Sequence, residues 1–111
     1  MTETNSKYID LKKGLPRVGN NETLYKKLLG KFNVDIGALE TALNGGEYIK
    51  AGEIVHAAKG VAANLSLAAF YDSSVTLMDQ MRGGNKPDRA NVDIFEQLYD
   101  ETLKAIAAYL S

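Results

Sequence analysis

His56 stands out in the sequence because of the residues spaced around it. Lys59 follows it by three positions, and glycines stand four positions away on either side, at Gly52 and Gly60. In a helix, residues three and four apart are neighbours, so the Lys59 ammonium lies beside the imidazole and the adjacent turns are bare. An imidazole nitrogen with a point charge beside it and open space around it suits a phosphoryl group.

The helix that carries His56 is predicted over residues 47–64, with a core-facing stripe of Ala51, Ile54, Val55, Ala58, Val61, Ala62 and Leu65. At about 100° per residue, His56 lies about 160° from the centre of that stripe and therefore points outward. The rest of the outer face is mostly small, comprising Ile49, Gly52, Glu53, Lys59, Gly60 and Ala63. Two interior glycines cost a helix on the order of 1–2 kcal/mol, and core packing offers no offset on an outward face. We interpret the bare surface as access for a large, rigid partner.

Other interpretations of His56 compete with this one. A lone histidine on a helix surface is usually a solvated side chain, and glycines can admit a neighbouring helix, although a four-helix bundle is expected to offer none on that side. One histidine beside a lysine is a poor metal site, so no metal is expected. Acid–base hydrolysis with Glu53 orienting His56 would need a pocket, which we do not expect on a convex helix.

The remaining segments also have helical spacing, and none shows sustained alternation. One long helix is predicted over 22–44, with weak spots at Gly30, Asn33 and Gly37 where it can kink or split. Further helices are predicted over 67–82 and 90–110, and a short extra helix over residues 8–11.

Gly, Pro and Asn predict the breaks between these helices. They place a loop at 14–21, a helix stop at 44–46 and a second break at 83–87, where Pro87 starts the next helix. Ser66 is predicted to be an N-cap. Short links favour antiparallel neighbours, so residues 1–111 are expected to form one all-α domain. The expected architecture is an antiparallel up-down-up-down four-helix bundle with a short extra N-terminal helix.

Composition narrows the function. The chain has 111 residues, a net charge of −1, 45% hydrophobic residues, no cysteine and one histidine. This excludes disulfide scaffolds, cysteine-ligated metal sites and thiol nucleophiles, and a near-neutral charge argues against nucleic acid as a partner. Neither a signal peptide nor an apolar run of about 20 residues is present, so a small soluble, cytoplasmic protein without a membrane partner is expected.

The segment from His56 to Leu65, His-Ala-Ala-Lys-Gly-Val-Ala-Ala-Asn-Leu, resembles the motif of histidine-containing phosphotransfer (HPt) domains, which have His, Lys and Gly at relative positions 0, +3 and +4. The resemblance covers most of the chain, because 9–15, 24–32 and 39–43 also look like the N-terminal half of that family. The five-residue core of the motif matches by chance often, but in mid-helix and in a chain of this size it is fairly specific.

The resemblance implies a phosphorelay intermediate that is a carrier of phosphate and not a kinase. His56 would accept a phosphoryl group from a receiver-domain aspartate and pass it to another receiver, Lys59 would stabilise the phosphoryl oxygens, and Gly60 and Ala63 would keep the approach clear. The partners would be receiver domains of response regulators or hybrid sensor histidine kinases. The receiver supplies the Mg²⁺, so this chain needs no cofactor and is expected to act as a monomer.

This sequence departs from the family pattern at three positions. Ala63 and Ser66 stand where glycine is common, and Met78 stands where the next helix often carries Glu or Gln facing the site. Arg82, one turn after Met78, could supply charge instead. Ile49 and Glu53 are expected to contact the docked partner.

Two other functions remain open. The chain could be a helical adaptor or docking module that kept the HPt-like fold without phosphotransfer. It could also be a phosphoacceptor segment detached from a histidine kinase of the chemotaxis type, which differs only in its donor.

Overall fold

The computed structural model describes residues 6–111, and over that range the chain is all-helical, as predicted. It has six helices and no strand. They are α1 (Leu11–Arg17), α2 (Glu22–Leu29), α3 (Ile36–Asn44), α4 (Tyr48–Leu65), α5 (Ala68–Met81) and α6 (Arg89–Leu110). The last three begin and end within one residue of the predicted positions, because amphipathic spacing and glycine breaks agree there.

Glycines end the helices at the two predicted breaks. Gly46 follows α3 with a φ of 72°, and Gly83 and Gly84 follow α5 with φ of 75° and 82°. The sequence predicted that Pro87 starts the last helix, but Pro87 is not helical. It lies before Asp88, the N-cap of α6, so its fixed φ guides the chain into the helix from outside.

The prediction of one helix over 22–44 is wrong, because the chain leaves the helical path between Leu29 and Ile36. The segment between them still contributes to the core, since Phe32 and Val34 are buried although they are not helical. Asp35 starts α3 as its N-cap, with its carboxylate accepting a hydrogen bond from the Ala38 N–H at 2.9 Å. The split falls at two of the predicted weak spots, Gly30 and Asn33, whereas Gly37 lies inside α3, which the capping residue makes a separate helix.

The N-terminal predictions are also wrong. Residues 8–10 are not helical, and α1 occupies half of the expected loop at 14–21. Asp10 caps α1 by accepting from the Lys13 N–H at 3.2 Å, while Pro16 lies in the last turn. Gly14 is buried against Tyr25, and a Cβ at residue 14 would lie 2.6 Å from the Tyr25 hydroxyl oxygen. This close approach, and not a turn, is why residue 14 is a glycine.

Ser66 is the C-cap of α4 and not the N-cap of the following helix. Its φ of 56° and ψ of 46° lie in the left-handed region, where a serine costs roughly 1 kcal/mol relative to glycine. The buried Leu67 is the N-cap of α5. Only these two residues therefore connect α4 to α5.

The core forms one continuous cluster of buried side chains. α4 packs against α3 and α5, and α5 packs against α6. Phe70 lies at the centre, with ring centroids 5.4 Å from Phe32 and 4.8 Å from Phe95. Tyr99 joins this group and accepts a hydrogen bond from the Val34 N–H at 2.9 Å, which fixes the non-helical segment. Along residues 6–111, no helix combines the length and apolar character needed to cross a membrane.

The buried stripe of α4 is narrower than predicted. Its members are Ala51, Val55, Ala58, Ala62 and Leu65. Ile54 is only half-buried, and Val61 is 42% exposed. The buried face is therefore rotated away from these two residues, towards the side on which Gly52 approaches α5.

Candidate functional site

The outer face of α4 presents His56 to solvent, as the helical projection predicts. The opposite face of the helix is anchored in the core, and its C-terminal end is held by a side chain of α2. The Tyr25 hydroxyl donates to the Leu65 carbonyl at 2.5 Å, and burial raises the pKa of Tyr25 to about 12. His56 is thus carried on a fixed helix while its own ring stays accessible.

A groove of about 600 Å³ lies between α4 and α5 and includes His56 in its lining. From α4 it is lined by Tyr48, Ile49, Gly52, Glu53, His56 and Lys59, and from α5 by Val75, Met78, Asp79 and Met81, with residues 82–84 completing it. The expectation that a convex helix would offer no pocket is therefore wrong. Projecting a single helix cannot show how close the next one lies, and here α5 runs alongside this face.

Lys59 lines the same groove as His56 and is half-buried. The ion pairs within residues 6–111 involve Arg82, Arg89 and Lys104, and none involves Lys59. Its charge is therefore not neutralised by a carboxylate of that part of the chain. A lysine held in this state can act as a point charge for an incoming anion.

The two glycines beside His56 are not equivalent. Gly60 is exposed, and a Cβ built there would meet no atom within 4 Å. Gly52 is half-buried, and a Cβ there would lie 3.9 Å from the Met81 Cε, an ordinary contact. The outward placement is therefore right for Gly60 and only partly right for Gly52. Since alanine would fit at both positions, neither glycine is required for the helices to approach each other.

Ala63 is not brought together with His56. It is half-buried and lines a separate hollow of about 450 Å³, where α1 meets the ends of α4 and α5. Lys13, Arg17 and Tyr71 line this hollow as well. The structure thus separates Ala63 from the groove, although the spacing along α4 placed it on the outer face.

The residues expected to contact a partner lie at the N-terminal end of the groove. Ile49 is 69% exposed, and it touches the turn after α5, where a Cβ at Gly84 would lie 3.1 Å from the Ile49 Cγ1. Glu53 is also exposed and lines the groove. An exposed isoleucine beside a carboxylate offers both apolar contact and charge.

The α5 side of the groove carries an ion pair that the sequence interpretation missed. The Arg82 Nη2 lies 2.7 Å from the Asp79 Oδ1, and the two side chains are 80% and 61% exposed. Arg82 was expected to supply charge to the site, but it is already paired. The i,i+3 spacing of Asp79 and Arg82 could have indicated this. Met78, at the position where the resembled family often has a polar residue, is half-buried in the groove.

A second charged cluster joins α3 to α6 and shares no residue with the groove. Arg89 donates to both carboxylate oxygens of Glu40, at 2.8 and 2.5 Å, and to Asp93 at 2.9 Å. Its Nη2 lies 3.8 Å from Glu96. Hydrogen bonding to Arg89 lowers the pKa of Glu40 to about 2, while burial, followed by the hydrogen bond to Glu40, raises the pKa of Glu96 to about 7.

Within residues 6–111, no group of three or more His, Asp or Glu side chains is arranged to hold a metal ion. Comparison of the chain with protein-family models, with curated proteins and with solved structures finds no match. The function proposed below therefore rests on the arrangement of this chain's own residues and on the resemblance of its motif.

Proposed function

We propose that this chain is a histidine phosphotransfer protein of a multistep phosphorelay. His56 accepts a phosphoryl group from a receiver-domain aspartate and passes it to the aspartate of another receiver. The observation that carries the proposal is an exposed imidazole in one groove with a lysine that no carboxylate of the described chain neutralises. A monomer in the cytoplasm, meeting response regulators or hybrid sensor kinases, belongs to the same proposal.

The proposal includes the arrangement of the helices. We infer that α3, α4, α5 and α6 form an antiparallel up-down-up-down bundle, with α1 and α2 added at the N-terminal side. Three residues connect α3 to α4 and two connect α4 to α5, and short links favour antiparallel neighbours. The packing of α4 on α3 and α5, and of α5 on α6, supports this order.

The chemical step needs one free imidazole nitrogen. Its electron pair attacks the phosphorus of the receiver's aspartyl phosphate, and the new N–P bond forms as the P–O bond to the carboxylate breaks. The receiver aspartate leaves as a carboxylate that keeps the electron pair of the P–O bond, and the proton on the other ring nitrogen of His56 can pass to water. Transfer onward reverses these steps, with a second receiver's carboxylate forming the P–O bond as the N–P bond breaks.

Lys59 and Gly60 have distinct roles in this scheme. The Lys59 ammonium offsets the charge on the phosphoryl oxygens as they approach the groove. Gly60 leaves the surface bare one turn after His56, so that the edge of a receiver domain can reach the ring. The Mg²⁺ belongs to the receiver, and this chain supplies only the acceptor, the cation and the access.

The test is transfer of ³²P from phosphorylated receiver domains of the host to the purified chain. We expect label on the wild-type protein and none on His56→Gln, in a form that is stable to alkali and labile to acid, as expected for a phosphoramidate. A matched control is Asn64→Gln, an exposed residue of the same helix outside the groove. It should accept label at the wild-type rate.

Two results of this assay would contradict the proposed function. If no receiver of the host transfers label to the wild type, or if His56→Gln is labelled as well, the proposal is wrong. Circular dichroism of each variant shows whether the helices remain intact, so loss of label cannot be confused with unfolding.

A docking module without phosphotransfer is the second candidate, and one observation favours it. The groove exposes apolar side chains beside His56, including Ile49 and the half-buried Met78, which can contact a partner without any chemistry. In a binding assay this function predicts that His56→Gln leaves partner affinity unchanged and that Ile49→Asp weakens it. The phosphotransfer protein is favoured because docking alone requires no lysine free of a carboxylate beside the histidine.

A further inference from the structure

The groove contains two cations in different states. Lys59 on α4 has no ion-pair partner within residues 6–111, whereas Arg82 at the end of α5 is paired with Asp79 at 2.7 Å. All three side chains line the groove that includes His56. The groove therefore has one cation available at once and a second that is held by a carboxylate.

We infer that Arg82 is a latent phosphoryl-binding residue. Asp79 holds its guanidinium until His56 is phosphorylated, and Arg82 then exchanges the carboxylate for the phosphoryl group. In the unphosphorylated protein the Asp79 carboxylate satisfies the guanidinium. When the phosphoryl group is on His56, its oxygens take over the guanidinium and Asp79 is left to solvent. This inference rests on the proposed function and adds the regulation of the same site.

The exchange is favoured by the difference between the two anions. An ion pair this exposed contributes little to stability, because water screens it and both side chains lose freedom in forming it. A phosphoryl group carries close to two negative charges and three acceptor oxygens, and guanidinium can engage two of them at once. A weak pair with a carboxylate is therefore replaced by a stronger pair with the phosphoryl group of the same groove.

The groove leaves room for this movement. Gly52 lies one turn before His56 and lines the groove with no side chain that would obstruct a moving guanidinium. The turn after Arg82 packs close to α4, since a Cβ at Gly84 would lie 3.1 Å from the Ile49 Cγ1. The exchange requires the Arg82 side chain to change its conformation.

Asp79 also makes the groove selective for a phosphoryl group on His56 over free anions. Before transfer, the Asp79–Arg82 pair is neutral overall, and Glu53, which also lines the groove, balances the charge of Lys59. Free anions then meet a weaker site than two unpaired cations would form. Full binding strength develops only when the phosphoryl group is held on His56.

The test uses phosphoramidate, a small donor that needs no receiver. The imidazole nitrogen forms the N–P bond as the P–N bond of phosphoramidate breaks and ammonia leaves. Phosphohistidine is followed by ³¹P NMR, and the Arg82 Nε–Hε cross-peak by ¹H–¹⁵N NMR of the full chain. We expect that cross-peak to shift in step with the phosphohistidine signal, and in unphosphorylated Asp79→Asn to differ from the wild type.

Variants supply a second readout. Asp79→Asn is expected to raise the rate of phosphohistidine formation about threefold, and Arg82→Gln to lower it about threefold, by changing the charge that the donor meets. The matched control is Asp100→Asn, which removes the carboxylate of another exposed ion pair, with Lys104 on α6. It should leave the rate unchanged.

The outcomes separate this inference from the proposed function. A phosphohistidine signal without movement of the Arg82 cross-peak overturns the inference and leaves the phosphotransfer function standing. Equal rates for the wild type, Asp79→Asn and Arg82→Gln do the same. No phosphohistidine on the wild type from either phosphoramidate or a phosphorylated receiver overturns both.

Discussion

The His56 groove and the Arg89 cluster use charge in opposite ways. In the groove, Lys59 has no carboxylate partner within residues 6–111, and His56, which lines the same groove, is exposed. In the cluster, one guanidinium is close to three carboxylates, two of them mostly buried side chains. The cluster joins α3 to α6 with its cation fully occupied, whereas the groove keeps a cation available.

The difference shows how to distinguish a functional charge from a structural one in a chain without a bound ligand. A cation whose ion pairs are already formed within the protein contributes to the fold, so removing it lowers the free energy of unfolding. A cation without such pairs contributes little to the fold, so removing it should cost function alone. Each prediction below tests one side of this contrast, beginning with the largest effect.

Lys59→Gln should separate activity from stability on the groove side. Glutamine keeps most of the half-buried stem and removes the charge, so we expect transfer from a phosphorylated receiver to slow about tenfold, roughly 1.4 kcal/mol of transition-state stabilisation. Urea denaturation should show a free energy of unfolding within about 0.5 kcal/mol of the wild type. Lys104→Gln, on the exposed surface of α6, is the control and should change neither.

Arg89→Gln should show the reverse. Loss of the guanidinium leaves Glu40 and Glu96 facing each other without a cation, so we expect the free energy of unfolding to fall by about 1 kcal/mol, after allowing for partial exposure. The rate of phosphoryl transfer should stay the same. A slower transfer in this variant, measured where it is fully folded, would show that the two regions are not independent.

The cluster should also make stability depend on pH. Burial, together with the hydrogen bond to Glu40, raises the pKa of Glu96 from 4.5 to about 7, so the folded chain holds a proton that the unfolded chain loses. This contribution is fully present below pH 4.5 and is lost as the pH rises through about 7.

The wild type therefore loses stability between about pH 5.5 and pH 8, whereas Glu96→Gln does not. We expect the free energy of unfolding of the variant, relative to the wild type, to rise by about 1 kcal/mol over this range. The measurement is urea denaturation of both proteins at the two pH values. Asp100→Asn, the same change of charge on the same helix, should follow the wild type. Equal pH dependence of Glu96→Gln and the wild type would contradict the raised pKa of Glu96.

Gly60→Ala should produce the smallest change, and it tests the exposed surface next to the groove, one turn after His56. The added methyl meets no atom within 4 Å, so the variant is expected to gain about 0.5–1 kcal/mol in stability from helix propensity. It should nevertheless accept phosphate from a receiver a few times more slowly, because the methyl enters the docking face. Gly37→Ala, at an exposed position of α3, should raise stability without slowing transfer.

The sequence predicted the bounds of α4, α5 and α6 well and those of the N-terminal half poorly, and the reasons are local. Gly46 after α3, and Gly83 and Gly84 after α5, have positive φ, a backbone conformation that glycine signals directly. Asp10 and Asp35 start helices as N-caps. Asp35 was not recognised as a cap because apolar residues such as Phe32 continue the helical spacing up to it, although Phe32 is buried in a non-helical segment.

The sequence predicted the α4 side of the candidate site and missed the α5 side. The spacing of His56, Lys59 and Gly60 within one helix is a property of that helix, so their placement on one side of it could be predicted from the sequence. The contribution of α5 could not, because the register between α4 and α5 is set by core packing and by a two-residue connection in which Ser66 takes a left-handed conformation. For the same reason, Gly52 was wrongly expected to face only outward.

The contact of Gly14 with Tyr25 has a consequence for how this chain can change during evolution. Any side chain at position 14 would displace the phenol ring, which would then no longer satisfy the Leu65 carbonyl where α4 ends. Substitutions at positions 14 and 25 should therefore be inherited together among homologues. The end of α4, the helix that carries His56, would thus be under selection at a residue far from it in the chain.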